Sequence, residues 1–199
     1  MYYQFEKRNS PFTARECRWT LSPIPHIHQH IELIYLTEGH SYATADNTTE
    51  LLCPGDIYLS FPNQIHYYDA TPVNGILAIV EPDIFPDLLD IFSSKLPQSP
   101  IIKKENLPTN VYPQLQKICT YIKSSNHLQR IAAIGYMQGL LAELIDKMSL
   151  QVIDNNHDSV RDVLVYCLEN YKSPISLEIL SQELHLSKFY LSHIFTDRL

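Results

Sequence analysis

Alternation of apolar and polar positions dominates the first hundred residues. Short β-branched and aromatic runs at 19–21, 31–37, 41–45, 50–53, 56–60, 66–69 and 74–80 each predict a strand. Between them stand Glu38-Gly39, Asp46-Asn47-Thr48-Thr49, Pro54-Gly55, Pro62-Asn63 and Thr71-Pro72. These residues suit turns through φ preference or local side-chain bonds. Closely spaced strands with hairpin punctuation predict a small barrel or jelly roll.

From about residue 110 the period becomes helical. Val111, Leu115, Ile118, Cys119 and Ile122 share one face. Ile131, Ile134, Met137, Leu141, Leu144 and Met148 follow at steps of three and four. This second stripe is nearly heptad-like, so it suits packing on its own domain or pairing with a second copy. The expectation carried forward is a homodimer through Met137, Leu141, Leu144 and Met148.

The polar run 154–158 interrupts the pattern and reads as a linker. Three short helical patterns follow it. The first, opened by Ser159, turns Val160, Val163, Leu164, Cys167, Leu168 and Tyr171 inward and ends at Lys172-Ser173-Pro174. Ser176 caps the second, 177–184, with Glu178 in its first turn. His185-Leu186 makes a tight turn, and Ser187 caps the third, 188–198. Leu180, Leu184, Leu186, Leu191, Ile194 and Phe195 would knit the pair together, which matches a helix-turn-helix. The predicted class is α+β, divided into 1–100 (sheet-rich), 101–153 (helical), 154–158 (linker) and 159–199 (helix-turn-helix).

Composition narrows the function classes. With 199 residues, 45% hydrophobic and 19% charged, the chain is neither disordered nor fibrous. Its longest uninterrupted apolar run, 76–80, is too short to span a bilayer, so no membrane partner is expected. The first ten residues lack the apolar stretch of a secretory signal. Cysteines 17, 53, 119 and 167 are scattered without a C-x-x-C, as in reduced cytoplasmic proteins. A net charge of −7 opposes non-specific nucleic-acid binding by the whole surface but leaves room for a small reading patch.

The candidate chemistry begins with His26, His28, His30 and Glu32. In a strand, alternate residues share a face, and His66 could approach them to complete a site of imidazoles and a carboxylate. The spacing His26-x-His28-x-x-x-Glu32, then six residues and Gly39, resembles the first cupin motif, with Thr20 in place of its leading Gly. Gly55, five residues, then Phe61-x-Asn63-x-x-His66 resembles the second, with Phe for its Pro, Asn for its second Gly and Ala70 for its final Asn. In metal-binding cupins the corresponding set would be His26, His28, Glu32 and His66.

The same segment, HIHQHIELIYLTEGHSY…LLCPGDIYLSFPNQIHYY, also resembles the sensor domain of AraC-type transcription regulators. The segment YCLENYKSPISLEILSQELHLSKFYLSHIFTDRL is similar to the first helix-turn-helix of their DNA-binding domains. The resemblance implies an effector-responsive, sequence-specific DNA-binding regulator, not an enzyme, with an N-terminal cupin-like barrel, a helical dimerisation segment and a helix-turn-helix. It implies no resident cofactor or metal. It also implies a chain truncated after the first of two helix-turn-helix units, because the family carries two. Segment 159–199 holds four Lys and Arg against five Asp and Glu, which is not a basic patch.

By that resemblance Phe189, Ser192, His193 and Thr196 contact bases. Lys188 suits a phosphate, and Ser187 caps the helix and reaches the backbone. The expected partners are operator DNA, a small-molecule effector such as a sugar, and a second copy of the chain. The effector pocket is expected at Trp19, His28, Tyr35, Tyr42, Tyr58, His66 and Tyr68. The alternatives are a metal-dependent cupin enzyme using the three histidines and Glu32, and a ligand-binding interaction module.

Overall fold

The computed structural model describes residues 4–153 and 159–197. The expected linker at 154–158 and the expected end of the third helix at Arg198 lie outside the described residues. The chain divides into two compact units, one running from Phe5 to Ile153 and the other holding the C-terminal helices. The fold is α+β, with a sheet-rich N-terminal cupin-like domain.

Two five-stranded sheets form the larger unit. One has the order β1 (Gln4–Phe5), β3 (His26–Ile27), β8 (His66–Tyr68), β5 (Ser41–Ala45), β6 (Thr48–Leu52). The other has the order β11 (Ile101–Ile102), β7 (Ile57–Ser60), β4 (Ile31–Glu38), β9 (Pro72–Val80), β2 (Phe12–Thr20). Between the sheets lie Ile34, Leu36, Ala43, Ala45, Leu52, Tyr58, Tyr68 and Val73. A two-stranded ribbon joins β10 (Lys95–Pro97) to β12 (Leu150–Val152).

The turns carry the backbone strain the sequence provides for. Gly39 and Gly55 sit at φ 84 and 92. Asn63, which replaces a motif glycine, sits at φ 62, a region Asn tolerates better than most residues.

The other face of the second sheet is covered by helices. The short α1 (Leu89–Ser94) is followed by α2 (Val111–Ile122) and α3 (His127–Lys147). Ile31, Leu33, Ile57, Leu59, Ile76 and Ala78 pack there in one core with Leu115, Ile118, Met137, Leu140, Leu141 and Leu144. Two expectations are thereby corrected. Residues 1–100 and 101–153 are not separate units, because β11 joins the sheet and the helices cover it. Met137, Leu141 and Leu144 are fully buried in their own core and Met148 packs against it, so these residues are no seam for a second copy. Leu140 and Ile145 widen the stripe of α3 beyond a narrow seam into a face that needs a whole sheet to cover it.

The smaller unit contains α4 (Ser159–Asn170), α5 (Leu177–Glu183) and α6 (Lys188–Asp197). Val160, Val163, Leu180, Leu191 and Ile194 form its core, with Leu164, Cys167, Leu184 and Leu186 against them. Ser176 Oγ accepts from the Ile179 amide at 3.2 Å, and Ser187 Oγ accepts from the Tyr190 amide at 3.2 Å, so the expected caps of the second and third helices form, while Ser159 is the first residue of α4. His185 takes φ 54 in the turn. Phe195 and Tyr171, expected inside, are 40% and 64% exposed. The small core has room for Leu191 and Ile194 from α6, leaving Phe195 to solvent.

Candidate functional site

Strand β4 is the platform of the site. Its alternation sends Ile31, Leu33 and Tyr35 to the helices, and Glu32, Ile34 and Leu36 between the sheets. Glu32 therefore carries a carboxylate into a buried interior, 4% exposed. Opposite it, β3 pairs with β8 so that His26 stands directly across from His66. The loop before His66 is pinned by Asp46, which accepts from Gln64 Nε2 at 2.8 Å and from the Ile65 amide at 3.0 Å.

The strand expected to run through His26, His28 and His30 does not do so. Strand β3 ends at Ile27, and a bend follows before β4 begins at Ile31. The bend turns His28 onto Glu32, with Nε2 3.3 Å from Oε2. His30 is left at the margin, its ring centroid 6.0 Å from that of His28. One ligand atom from each of His26, His28, Glu32 and His66 lies within 4.8 Å of the others, and all four residues are buried.

Hydrogen bonding decides how these groups present themselves. A carbonyl only accepts, so His26 Nδ1 donates to Ile24 O at 2.9 Å and His66 Nδ1 donates to Gln64 O at 2.9 Å. His28 takes the other tautomer: its Nε2 donates to Glu32 Oε2 at 3.3 Å, since a carboxylate only accepts, and its Nδ1 accepts from the His30 amide at 3.3 Å. In their neutral forms His26 and His66 thus turn Nε2 lone pairs inward, while His28 turns an Nε2–H toward the carboxylate. His66 Nε2 is buried without a hydrogen-bond partner, 3.9 Å from Glu32 Oε2. Tyr68 donates to the other carboxylate oxygen at 2.7 Å, fixing Glu32 from behind. The carboxylate is met by the His28 N–H and the Tyr68 hydroxyl, and the His26 and His66 lone pairs remain as acceptors for a cation, a further proton or a metal ion.

The protonation tendencies follow from the same geometry. Burial pushes the Glu32 carboxyl up, but His28 and His66 outweigh it and hold it well below the usual carboxylate range. Burial lowers His66, yet the Glu32 carboxylate more than compensates and leaves it raised. His26 is lowered, by burial first and by His66 second. Burial and then the Glu32 charge push Tyr58 and Tyr68 far up, so both stay neutral hydroxyls.

These residues fit a divalent transition metal. Three Nε2 atoms, two of them with Nδ1 fixed on a backbone carbonyl, and one supported carboxylate match the donor types of such sites. The expected effector pocket is brought together only in part. His28, Tyr58, His66 and Tyr68 converge, and Trp19 packs against the same interior. Tyr35 instead stacks on Tyr112 of α2 at 5.4 Å, on the helix-covered face. Tyr42 is 52% exposed, on the outer side of β5. Both are corrected out of the pocket: an aromatic ring suits either face of a strand, and the pairing register decides which.

In the helical unit, Ser187 just before α6 and Lys188, Phe189, Ser192, His193 and Thr196 along it are all exposed. Phe189 is 76% exposed and meets His193 edge-on at 4.5 Å. Lys188 pairs with Glu178 of α5, a partner the sequence pattern did not reveal.

Comparison with known proteins agrees with this architecture. Residues 11–141 match the model of the AraC-like ligand binding domain, and the chain belongs to that family. No curated protein matches it. Among solved structures, an apo variant of ToxT from Vibrio cholerae strain SCE256 has a TM-score of 0.58 at 9% identity, covering 97% of this chain and 77% of that one. Unsaturated-fatty-acid-bound ToxT from the same strain gives 0.56 at 10%, covering 94% and 73%. ToxT from Vibrio cholerae O395 gives 0.55 at 10%, covering 92% and 72%. At such identities the likeness is one of fold. Among the described residues no helix is long and apolar enough to cross a membrane.

Proposed function

We propose that this protein is an effector-responsive transcription regulator that senses in its barrel and reads DNA with α5 and α6, without catalysing a reaction. The observation that carries the reading is the conjunction of two units. An AraC-like ligand binding domain spans 11–141, and a separate helical unit, which we read as a helix-turn-helix, exposes Phe189, Ser192, His193 and Thr196 on α6. Mechanistically, occupancy of the sensing unit shifts DNA reading only if the ligand binds one state of the protein better than the other. The test is selection from a random duplex pool by the full chain. An enriched sequence whose binding is lost with His193→Ala plus Ser192→Ala supports the reading. Absence of enrichment overturns it.

A second reading concerns what the barrel holds. It replaces the expectation of no metal with a divalent transition ion bound by His26, His28, His66 and Glu32. Its support is the convergence of three Nε2 atoms on a buried carboxylate, together with the unpartnered His66 Nε2. When bound, such an ion supplies positive charge and Lewis acidity. The chain's own part is to fix each imidazole through Ile24, Gln64 and His30, and the carboxylate through Tyr68. Tyr58 and Tyr68 pack edge to face at 5.1 Å beside this centre, and Ile34, Leu36 and Leu52 fill the interior around them. Elemental analysis after purification without chelators tests the metal reading: near one ion per chain, lost in His66→Ala, is expected. No retained metal and no uptake from micromolar zinc, nickel or manganese would return the site to a protonated histidine–carboxylate cluster.

A further inference from the structure

The ribbon of β10 and β12 belongs to neither five-stranded sheet. It pairs Lys95 with Val152, Leu96 with Gln151 and Pro97 with Leu150. Just beyond these pairs the Ile153 amide donates to Ser94 O and the Gln98 amide to Ser149 O, both at 2.9 Å. Bonded and open positions alternate in an antiparallel pair. Pro97 therefore falls at an open position, where its missing N–H costs no ladder bond. Little of the ribbon is covered. Lys95, Gln151 and Val152 are exposed, and Leu96 and Leu150 are half-buried against the core. A two-stranded pair with so little apolar cover is marginal by itself. Its local opening costs far less than global unfolding.

The two ends of the ribbon are anchored unequally. At one end Thr48 Oγ1 donates to the Gln98 carbonyl at 3.4 Å, and the Leu59 amide donates to Pro100 O at 2.8 Å. These bonds tie that end to β6 and β7. The other end continues from α1, since β10 begins at the residue after Ser94. Helix α1 buries one residue, Phe92, whose ring meets that of Phe61 edge-on at 5.0 Å. Phe61 opens the turn that ends at His66. Within this turn the Phe61 amide donates to Gln64 Oε1 at 2.8 Å, and the Asn63 amide donates to the His28 carbonyl at 2.9 Å. The Gln64 carbonyl accepts from His66 Nδ1. One turn thus holds two residues of the histidine centre on one side and supports α1 on the other.

We propose that the ribbon is a clasp whose Ser94–Ile153 end is closed while the centre of His26, His28, Glu32 and His66 is ordered and opens when that centre is disturbed. The 61–66 turn and the Phe61–Phe92 contact carry the change. The clasp deepens the reading of the barrel as a sensing site and rests on it. Coupling of this kind needs an element with two arrangements, and the marginal ribbon is one. Its fixed end at Gln98 makes the opening directional, starting from Ile153. Opening takes β12 off β10, so the segment leading from α3 toward α4 loses a fixed strand. A ligand of the centre closes the clasp only as far as it binds the closed state better than the open one.

The experiment is amide hydrogen exchange of the full chain, resolved by residue, with Ile153 and Gln98 reporting the opening and the fixed end. Glu32→Gln should speed exchange at Ile153 about ten-fold and change Gln98 less than about two-fold. His66→Gln, a second disturbance of the same centre, should do likewise. Phe92→Leu keeps an apolar side chain in the core but loses the ring contact, and it should abolish the response of Ile153 to Glu32→Gln. Micromolar zinc, where the chain takes it up, should slow Ile153 in the parent. Ile153→Pro removes the donor at the opening end. By reciprocity it should weaken zinc by the same factor, read in competition with a chromophoric chelator. No response at Ile153 to either disturbance of the centre, equal responses at Ile153 and Gln98, or a response that survives Phe92→Leu overturns the proposal. Zinc that slows Ile153 yet binds the Ile153→Pro variant as tightly as the parent overturns it as well. A chain that takes up no zinc fails the metal reading alone, and the clasp is then decided by Glu32→Gln, His66→Gln and Phe92→Leu. The pool selection is independent of all these outcomes, so the regulator reading fails or stands separately.

Discussion

The two faces of strand β4 are one residue apart in sequence and opposite in chemistry. Ile31 and Leu33 face α2 and α3 across a dry apolar layer. Glu32, between them, faces three imidazoles and a tyrosine hydroxyl. The first face gains its stability from area removed from water, a non-directional term that tolerates repacking. The second holds charge in a buried space, where each group depends on the geometry of the next and a missing partner is expensive. The helical segment exists to complete the first face, and the loops around His28 and His66 exist to complete the second.

The sharpest way to break this contrast is to put charge on the apolar side. Leu141→Lys with Leu144→Lys places two ammonium groups in the core, where each unpaired charge costs several kcal/mol. Domain stability is about 5–15 kcal/mol in total, so the cooperative thermal transition of the sensing unit should disappear. A folded monomer, the outcome a dimer seam would give, would refute the core assignment. Ile131→Lys on the outward side of the same helix, at a half-exposed position, should change stability by no more than about 0.5 kcal/mol. The pair of variants separates the two sides of α3 in one calorimetric comparison.

On the polar face the expected effect is smaller and more specific. Glu32→Ala leaves the imidazoles without their carboxylate and removes the acceptor for Tyr68. Breaking a buried pair from one side costs about 3–5 kcal/mol, so the melting temperature should fall while a cooperative transition remains. Glu32→Gln keeps the volume and an acceptor for Tyr68, so it should recover part of that loss but no metal uptake. If the alanine variant is as stable as the parent, the centre is not a coupled network.

The sequence made much of this legible, and its failures have physical causes. Strand β5 matches its expected bounds, and β4 and β9 differ from theirs only by extension, because their period-two patterns are strong. Strand β2 was seen only at its last residues. As an edge strand it carries Arg15, Glu16 and Arg18 among its apolar positions, which blurs its pattern. Strands β1, β3 and β11 have two residues each, too few to show any period. The metal-type set was readable from spacing alone, but His30 was placed with it because an unbroken strand was assumed. The bend after Ile27 carries no glycine or proline to announce it. The inward and outward sides of the helical segment were confused for a related reason: a stripe at steps of three and four fits a seam and a core equally well until the sheet it covers is known.

The smallest expected effect lies in α6, the helix proposed to read DNA, where the polar groups are exposed instead of buried. Lys188 and Glu178 form a pair with side chains 53% and 65% exposed, and such pairs contribute about 0.2–1 kcal/mol. Lys188→Ala should therefore leave folding nearly unchanged. It should weaken binding to all duplexes alike and reduce the salt slope by about one, the signature of a lost phosphate contact. Glu178→Gln should act in the opposite direction. It removes the internal competitor for the ammonium and one negative charge near the phosphates, while Ser176 still caps α5. The gain should stay below about five-fold, since an exposed pair holds Lys188 weakly. Anisotropy titrations of the pool-selected duplex at two salt concentrations measure both. If Lys188→Ala changes sequence preference instead of uniform affinity, Lys188 reads bases, and its pairing with Glu178 is a specificity device and not a competitor for phosphate.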